Sequence, residues 1–155
     1  MHRVVAAPAD LGTEVLRIPT GSDLELDLRL ESVMEGVLVS GTVRGRAAGE
    51  CVRCLEDVEI SVDGDLQELY TYPDQIDESE RDEDDEVRRL VGDLIDLEPT
   101  IRDVIVPALP FQPVCRDDCL GLCSTCGIAL SADPQHHHDS VDPRWAALAD
   151  VHDLT

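Results

Sequence analysis

Leu24-Glu25-Leu26-Asp27-Leu28-Arg29-Leu30-Glu31 places a leucine at every second position with a charged residue after each. Side chains along a strand alternate between its two faces, so this stretch predicts a strand with one face on a core and the other in water. Glu35-Gly36 reads as a turn, after which Val37, Val39, Gly41 and Val43 keep the same period. Val58, Ile60 and Val62 alternate with Glu59, Ser61 and Asp63 in the same way. Asp63-Gly64 has the form of a hairpin dipeptide, and Leu66 to Tyr72 then reads as a return strand. The first half is expected to be an antiparallel meander, strongly curved or closed into a barrel-like sheet.

Working outward, residues 74–86 read DQIDESERDEDDE. Like charges repel and almost nothing apolar is present to bury, so this stretch is expected to be an exposed loop. It lacks the central glycine of a calcium-binding EF-hand loop. Beyond it, Leu97, Ile101, Val104, Ile105 and Ala108 recur at helical spacing, with Asp96 as N-cap and Pro99 in the first turn. Pro107 should end or kink that helix, whose apolar stripe is expected to pack on the sheet. A second short helix is expected in the tail, with Asp142 as cap, Pro143 at its first position and Trp145, Leu148 and Ala149 on one face. The fold class is therefore α+β: a curved antiparallel sheet with a packed amphipathic helix and a small C-terminal Cys-rich zinc-binding segment. Its parts are a β-rich core over 1–110, a Cys/His segment over 111–140 and a short helix within 141–155.

The charge restricts the partners. Of 155 residues, 34 are acidic and 12 basic, all 12 being arginine, for a formal charge of -22. Nucleic-acid binding draws its affinity from neutralising phosphates with Lys and Arg, so direct RNA contact is disfavoured except through a local patch such as Arg44, Arg46 and Arg53. A basic protein partner suits the charge better. No stretch approaches the roughly 20 apolar residues of a membrane span. Met1 to Leu11 contains no long apolar run, and the expected location is the cytoplasm, where thiols stay reduced.

Six cysteines in such a compartment point to metal or redox chemistry. Cys115, Cys119, Cys123 and Cys126 follow one another at C-x3-C-x3-C-x2-C spacing. Four thiolates so close in sequence can wrap a tetrahedral zinc ion, and Cys-x-x-Cys followed by Gly127 is the form of a metal knuckle. These four are the expected ligands of a structural zinc. His136, His137 and His138 lie just beyond, and any one of them could replace Cys115 or Cys119. Cys51 and Cys54, in Glu50-Cys51-Val52-Arg53-Cys54-Leu55, could join Cys123 and Cys126 as a second knuckle, or simply be two half-buried thiols at a hairpin. A redox dithiol at Cys123-x-x-Cys126 fits less well, because a thioredoxin-like motif needs a strand before it and a helix after it. No catalytic serine, phosphate-loop, zinc-protease or dinucleotide motif is present, and a closed four-sulfur site leaves no position for a reacting water. The chain is therefore read as non-enzymatic, with no catalytic residues.

Three ordered segments resemble one family. They are CVRCLE at 51–56 after the β region LELDLRLESVMEGVLVSGTV at 24–43, IDLEPTIRDVIVPALPFQPVC at 95–115, and CRDDCLGLCSTCGIAL at 115–130 with the later DPRWAAL. Together they are similar to the YceD family, the large ribosomal RNA subunit accumulation proteins. The resemblance implies a bacterial factor that supports large ribosomal subunit assembly and 23S ribosomal RNA accumulation. It also implies, with the charge, partners among ribosomal proteins or large-subunit assembly intermediates. Some members keep only the first cysteine pair, which assigns the later cluster a stabilising duty. Many follow the cluster with Cys-x-Cys, where this chain has His136 to His138. A zinc-bearing adaptor in transcription or protein quality control and, behind it, a thiol oxidoreductase are the alternative functions.

Overall fold

The architecture is organised around one long strand. In the computed structural model, which describes residues 1–73, 88–138 and 144, the elements run β1 (His2–Ala6), β2 (Leu11–Gly12), β3 (Leu16–Ile18), β4 (Asp23–Ser32), β5 (Gly36–Glu50), β6 (Asp57–Thr71) and α1 (Glu98–Ala108). One edge of β5 pairs with β6 along its whole length, from Gly36↔Thr71 to Glu50↔Asp57. The other edge is shared by two strands in succession: β4 from Ser32↔Val37 to Glu25↔Arg44, then β3 at Ala48 and Gly49. β1 adds outside β4 and β2 outside β3, every pairing being antiparallel. The result is a curled half-barrel, as the alternation in β4 to β6 leads one to expect.

The curl occurs where β5 passes from β4 to β3, and Gly45 sits there. A Cβ at Gly45 would lie 2.8 Å from both Ile18 Cδ1 and Leu24 Cδ2, so the apolar side chains of β3 and β4 close over the bare backbone. The concave face carries Leu24, Leu26 and Leu28 of β4, Val39, Val43 and Ala47 of β5, and Val58, Val62, Leu66 and Tyr70 of β6, all buried. Each aliphatic side chain buried this way contributes about 1.5–3 kcal/mol relative to exposure. Leu30 breaks the pattern: β1 pairs only as far as Asp27, so Leu30 lies beyond its cover and is 45% exposed.

Asp63-Gly64 is not a turn. β6 runs straight through it, and residues 58, 60, 62, 64, 66, 68 and 70 share the inward face without a break in parity. Glycine is needed there because α1 crosses it: a Cβ at Gly64 would lie 2.3 Å from Val104 Cγ1. The β5–β6 hairpin turns instead at Cys51–Glu56.

Helix α1 packs Thr100, Ile101 and Ile105 into the half-barrel. Its N-cap is Leu97 rather than Asp96, but Asp96 does the same work one residue earlier, its Oδ1 accepting the Glu98 N–H at 3.0 Å. Pro107 lies in the last turn and the helix ends at Ala108, as its missing N–H requires. The Arg102 guanidinium donates to the carbonyls of Asp10 at 2.6 Å and Ala9 at 3.0 Å, fixing the helix to the β1–β2 connection. The acidic stretch 74–86 and the tail helix expected within 141–155 lie outside the described residues, apart from Arg144. No helix among the described residues is long and apolar enough to cross a membrane.

Tyr70 fastens β6 to α1, its hydroxyl sharing a 2.6 Å hydrogen bond with Thr100 Oγ1 and donating to Asp96 O at 3.0 Å. Tyr70→Phe is expected to lower stability by about 1–2 kcal/mol in chemical denaturation, because it leaves the buried Thr100 hydroxyl without this partner. Burial raises the phenol above its ordinary value of 10.0, the Thr100 hydrogen bond only partly opposing it. A raised folded-state pKa means a contribution present below the unfolded value and lost as pH climbs through the folded one. Tyr70→Phe should accordingly flatten the fall in stability expected in melts above pH ~10.

Candidate metal centres

The six cysteines and two of the histidines gather into two four-ligand groups. Cys51, Cys54, Cys115 and Cys119 form the first; Cys123, Cys126, His136 and His138 form the second. The run expected to act as one set is thus divided: Cys115 and Cys119 turn to the hairpin, Cys123 and Cys126 to the histidines. Chain direction explains the division. α1 carries the chain back along β6 to the hairpin at its far end, where the Val52 N–H donates to Pro113 O at 2.9 Å and places Cys115 beside Cys54. Cys51 and Cys54 therefore meet Cys115 and Cys119, not Cys123 and Cys126. Two histidines rather than one complete the second group, and His137 is not a member of it, its Nδ1 lying 3.1 Å from Gln135 O.

Both groups are built on the same backbone device. In the first, the Cys51 N–H donates to Glu56 O at 2.8 Å and the Leu55 N–H to Cys51 O at 2.9 Å. In the second, the Cys123 N–H donates to Ile128 O at 2.8 Å and the Gly127 N–H to Cys123 O at 2.8 Å. The residue after each Cys-x-x-Cys is left-handed: Gly127 at φ 74° and Leu55 at φ 61°. Leucine pays for that conformation where glycine does not. Leu55→Gly is expected to stabilise the fold by about 0.5 kcal/mol, and Gly127→Ala to destabilise it by ~1 kcal/mol, a pair of opposite signs readable in urea melts.

The sulfur positions suit a tetrahedral ion. Four Zn–S bonds of about 2.3 Å set the ligand sulfurs roughly 3.8 Å apart. Cys51 Sγ lies 3.9 Å from Cys119 Sγ, and Cys54 Sγ 3.6 Å from Cys115 Sγ. A disulfide needs about 2.05 Å, and all six cysteines are free. Cys51 and Cys119 are buried, so the ion would sit against the end of the core. Neither Cys-x-x-Cys pair opens a helix; Cys51 and Cys54 lie in a hairpin turn between two strands.

The thiol chemistry supports the same use. Burial raises Cys51, but backbone hydrogen bonds from Cys115, Arg53 and Cys54 outweigh it and bring the thiol down to about 6. Cys54 is helped by a backbone hydrogen bond from Glu56, yet burial and the neighbouring sulfurs of Cys51, Cys115 and Cys119 push it up to about 12. Burial, and Cys119 beside it, raise Cys115. In the second group, backbone hydrogen bonds from Thr125 and Cys126 lower Cys123 to about 6 against the opposing effect of burial. One thiol in each knuckle, Cys51 and Cys123, is thus lowered toward the thiolate form that binds metal. In the first group Cys54 and Cys115 resist ionisation unless a cation shares the space.

Arg53 has a part that its sequence context did not suggest. Its guanidinium donates to Asp117 O at 3.1 Å and Cys119 O at 3.0 Å, and its carbonyl accepts the Leu122 N–H at 3.0 Å. It therefore bridges the two groups; Arg44 and Arg46 come from β5 instead. Those two lie on the outer face of β5, where Arg44 is in register with Glu25 on one side and Asp63 on the other.

A family model described as "Large ribosomal RNA subunit accumulation protein YceD" matches residues 39–152. The chain is 50% identical over 151 residues to an uncharacterized protein of Mycobacterium tuberculosis strain H37Rv, covering 97% of this chain and 72% of that one. The same figures hold for an uncharacterized protein of Mycobacterium bovis. An uncharacterized protein of Mycobacterium leprae is 44% identical over 151 residues, with 97% and 69% covered. No solved structure matches significantly.

Proposed function

The chain belongs to the YceD family of large ribosomal RNA subunit accumulation proteins, and from that membership we propose that it supports production of the large ribosomal subunit by protein contact, without chemistry of its own. The observation that carries the mode of action is the outer face of the curled sheet. Asp57, Glu59, Asp63 and Asp65 of β6 all point outward and are exposed, as are Asp23, Glu25 and Asp27 of β4. Arg44, on the strand between them, is flanked by Glu25 and Asp63, so the face presents net negative charge. Such a face repels ribosomal RNA and attracts the basic proteins that bind it. The partner is a basic ribosomal protein, free or on an assembly intermediate, shielded until it meets its RNA.

In the same reading, the four-sulfur group holds a structural zinc ion. The four thiolates satisfy its coordination, and its role is to join the β5–β6 hairpin to the segment after α1. Zinc supplies no reaction there, because no coordination position stays open.

Capture from native lysate at physiological salt tests the proposal. Ribosomal proteins are expected to be retained and to dissociate as salt is raised. Asp57→Asn, Glu59→Gln, Asp63→Asn and Asp65→Asn together should cut retention at least about tenfold while leaving the melting temperature within a few degrees, since exposed side chains contribute little to the fold. Retention of naked ribosomal RNA with no ribosomal protein would overturn it.

A further inference from the structure

Once the four sulfurs of Cys51, Cys54, Cys115 and Cys119 close on one ion, Cys123, Cys126, His136 and His138 remain as a complete second set. We propose that they hold a second zinc ion, so that the chain carries two, and that the second centre is built on the first.

The ligand atoms already converge. Cys126 Sγ lies 3.1 Å from His136 Nε2 and 3.2 Å from His138 Nε2, and the two Nε2 atoms are 2.9 Å apart. Zinc bonds of about 2.3 Å to sulfur and 2.0–2.1 Å to nitrogen set these edges at roughly 3.4–3.6 Å, a few tenths of an ångström wider. The histidine limb is preset by its own turn. Asp133 O accepts the His136 N–H at 3.1 Å, and Asp133 Oδ1 accepts the Gln135 N–H at 3.2 Å. Asp133 Oδ2 lies 4.0 Å from His136 Nδ1, behind the ring, which leaves Nε2 to face the sulfurs. Cys126 and His138 are solvent-exposed, so burial of apolar surface does not explain why these four side chains meet.

The dependence of the second centre on the first follows from Arg53. The knuckle around Cys123 begins at Gly121, left-handed at φ 77°, where a Cβ would lie 2.9 Å from Arg53 O. That same carbonyl accepts the Leu122 N–H at 3.0 Å, Gly121 O accepts the Leu130 N–H at 3.0 Å, and the Arg53 side chain holds the carbonyl of Cys119, a ligand of the first group. The second knuckle is therefore anchored through the first hairpin. The first group has no such need of the second, because Cys51 and Cys119 are part of the core.

Elemental analysis and native mass spectrometry of the purified full chain test this, independently of any ribosomal partner. Wild type is expected to hold two zinc ions. His136→Ala with His138→Ala should fall from two to one with the fold kept, and His137→Ala should keep two. Cobalt substitution provides a second readout: an S2N2 spectrum lost in the double histidine variant and an S4 spectrum that persists. Cys54→Ser should lose both ions. If that variant fails to fold, Cys115→Ser, at an exposed ligand, serves instead. One zinc in wild type, or two in the double histidine variant, overturns the second centre. Loss of the S4 spectrum in Cys115→Ser with full retention of the S2N2 spectrum overturns the dependence.

Discussion

Cys119→Ser is expected to lower the stability of the zinc-loaded chain by roughly 3–5 kcal/mol and its melting temperature by about 10 °C. Structural zinc contributes apparent binding free energies of about 10–16 kcal/mol in peptides that are unfolded without it. Here the half-barrel has its own core, so the loss is limited to what the ion joins. That junction is substantial: Cys51 and Cys119 are buried core members, and the hairpin meets the post-helix segment through the Val52–Pro113 and Arg53–Cys119 hydrogen bonds. Serine removes a thiolate ligand and leaves three sulfurs that repel one another once ionised. Chelator added to wild type should reproduce most of the effect, and chelator added to the variant should do little more. Calorimetry with and without EDTA reads both. A Cys119→Ser chain that melts with wild type, or a wild type indifferent to chelator, contradicts a structural ion at this position.

Gly64→Ala is the second large effect, and its sign runs against propensity. Alanine in a strand interior is ordinarily favoured over glycine by about 0.5–1 kcal/mol. At Gly64 the added methyl would lie 2.3 Å from Val104 Cγ1, so α1 must lift or Val104 must leave its rotamer. Overpacking of this kind costs about 1–3 kcal/mol, so a net destabilisation of ~1–2 kcal/mol is expected in urea melts. Val104→Ala in the same chain should recover much of that loss, since the offending atom is gone. Additive losses in the double variant would mean that the helix does not press on β6 at this point.

These two sites also mark where the sequence could and could not be read. The alternation of Leu24 to Leu28 and of Val58 to Val62 reports a local property, the facing of side chains across a pleat, and it translated directly into strands. So did the spacing of Ile101, Val104 and Ile105 into a helix. Gly64 was misleading because Asp-Gly marks both a turn and a close approach. The deciding signal was parity: Val58, Val62, Leu66 and Tyr70 keep one face across Asp63-Gly64, which favours a continuous strand. The short strands β2 and β3 exist through their pairing, with too few residues to show any period.

The cysteines show the other limit. Spacing pointed to a run that could hold a metal ion, but which of its side chains come together depends on where the helix returns the chain. Cys115 and Cys119 reach Cys51 and Cys54 because α1 runs back along β6, a tertiary fact absent from C-x3-C-x3-C-x2-C. One local clue was available. CVRCLE and CSTCGI have the same Cys-x-x-Cys form, and two knuckles ask for two partner pairs: Cys115 with Cys119, and His136 with His138. The bridging duty of Arg53 left no mark in the pattern at all.

The central claim is that the carboxylate-lined outer face supports large-subunit production. Its most direct test is a depletion strain complemented with wild type or with the variant neutralised at Asp57, Glu59, Asp63 and Asp65, scored by the ratio of large to small ribosomal subunits on sucrose gradients. Depletion is expected to lower the ratio, wild type to restore it, and the folded, zinc-loaded variant to leave it low. An unchanged ratio on depletion, or full rescue by the neutralised chain, would contradict the claim.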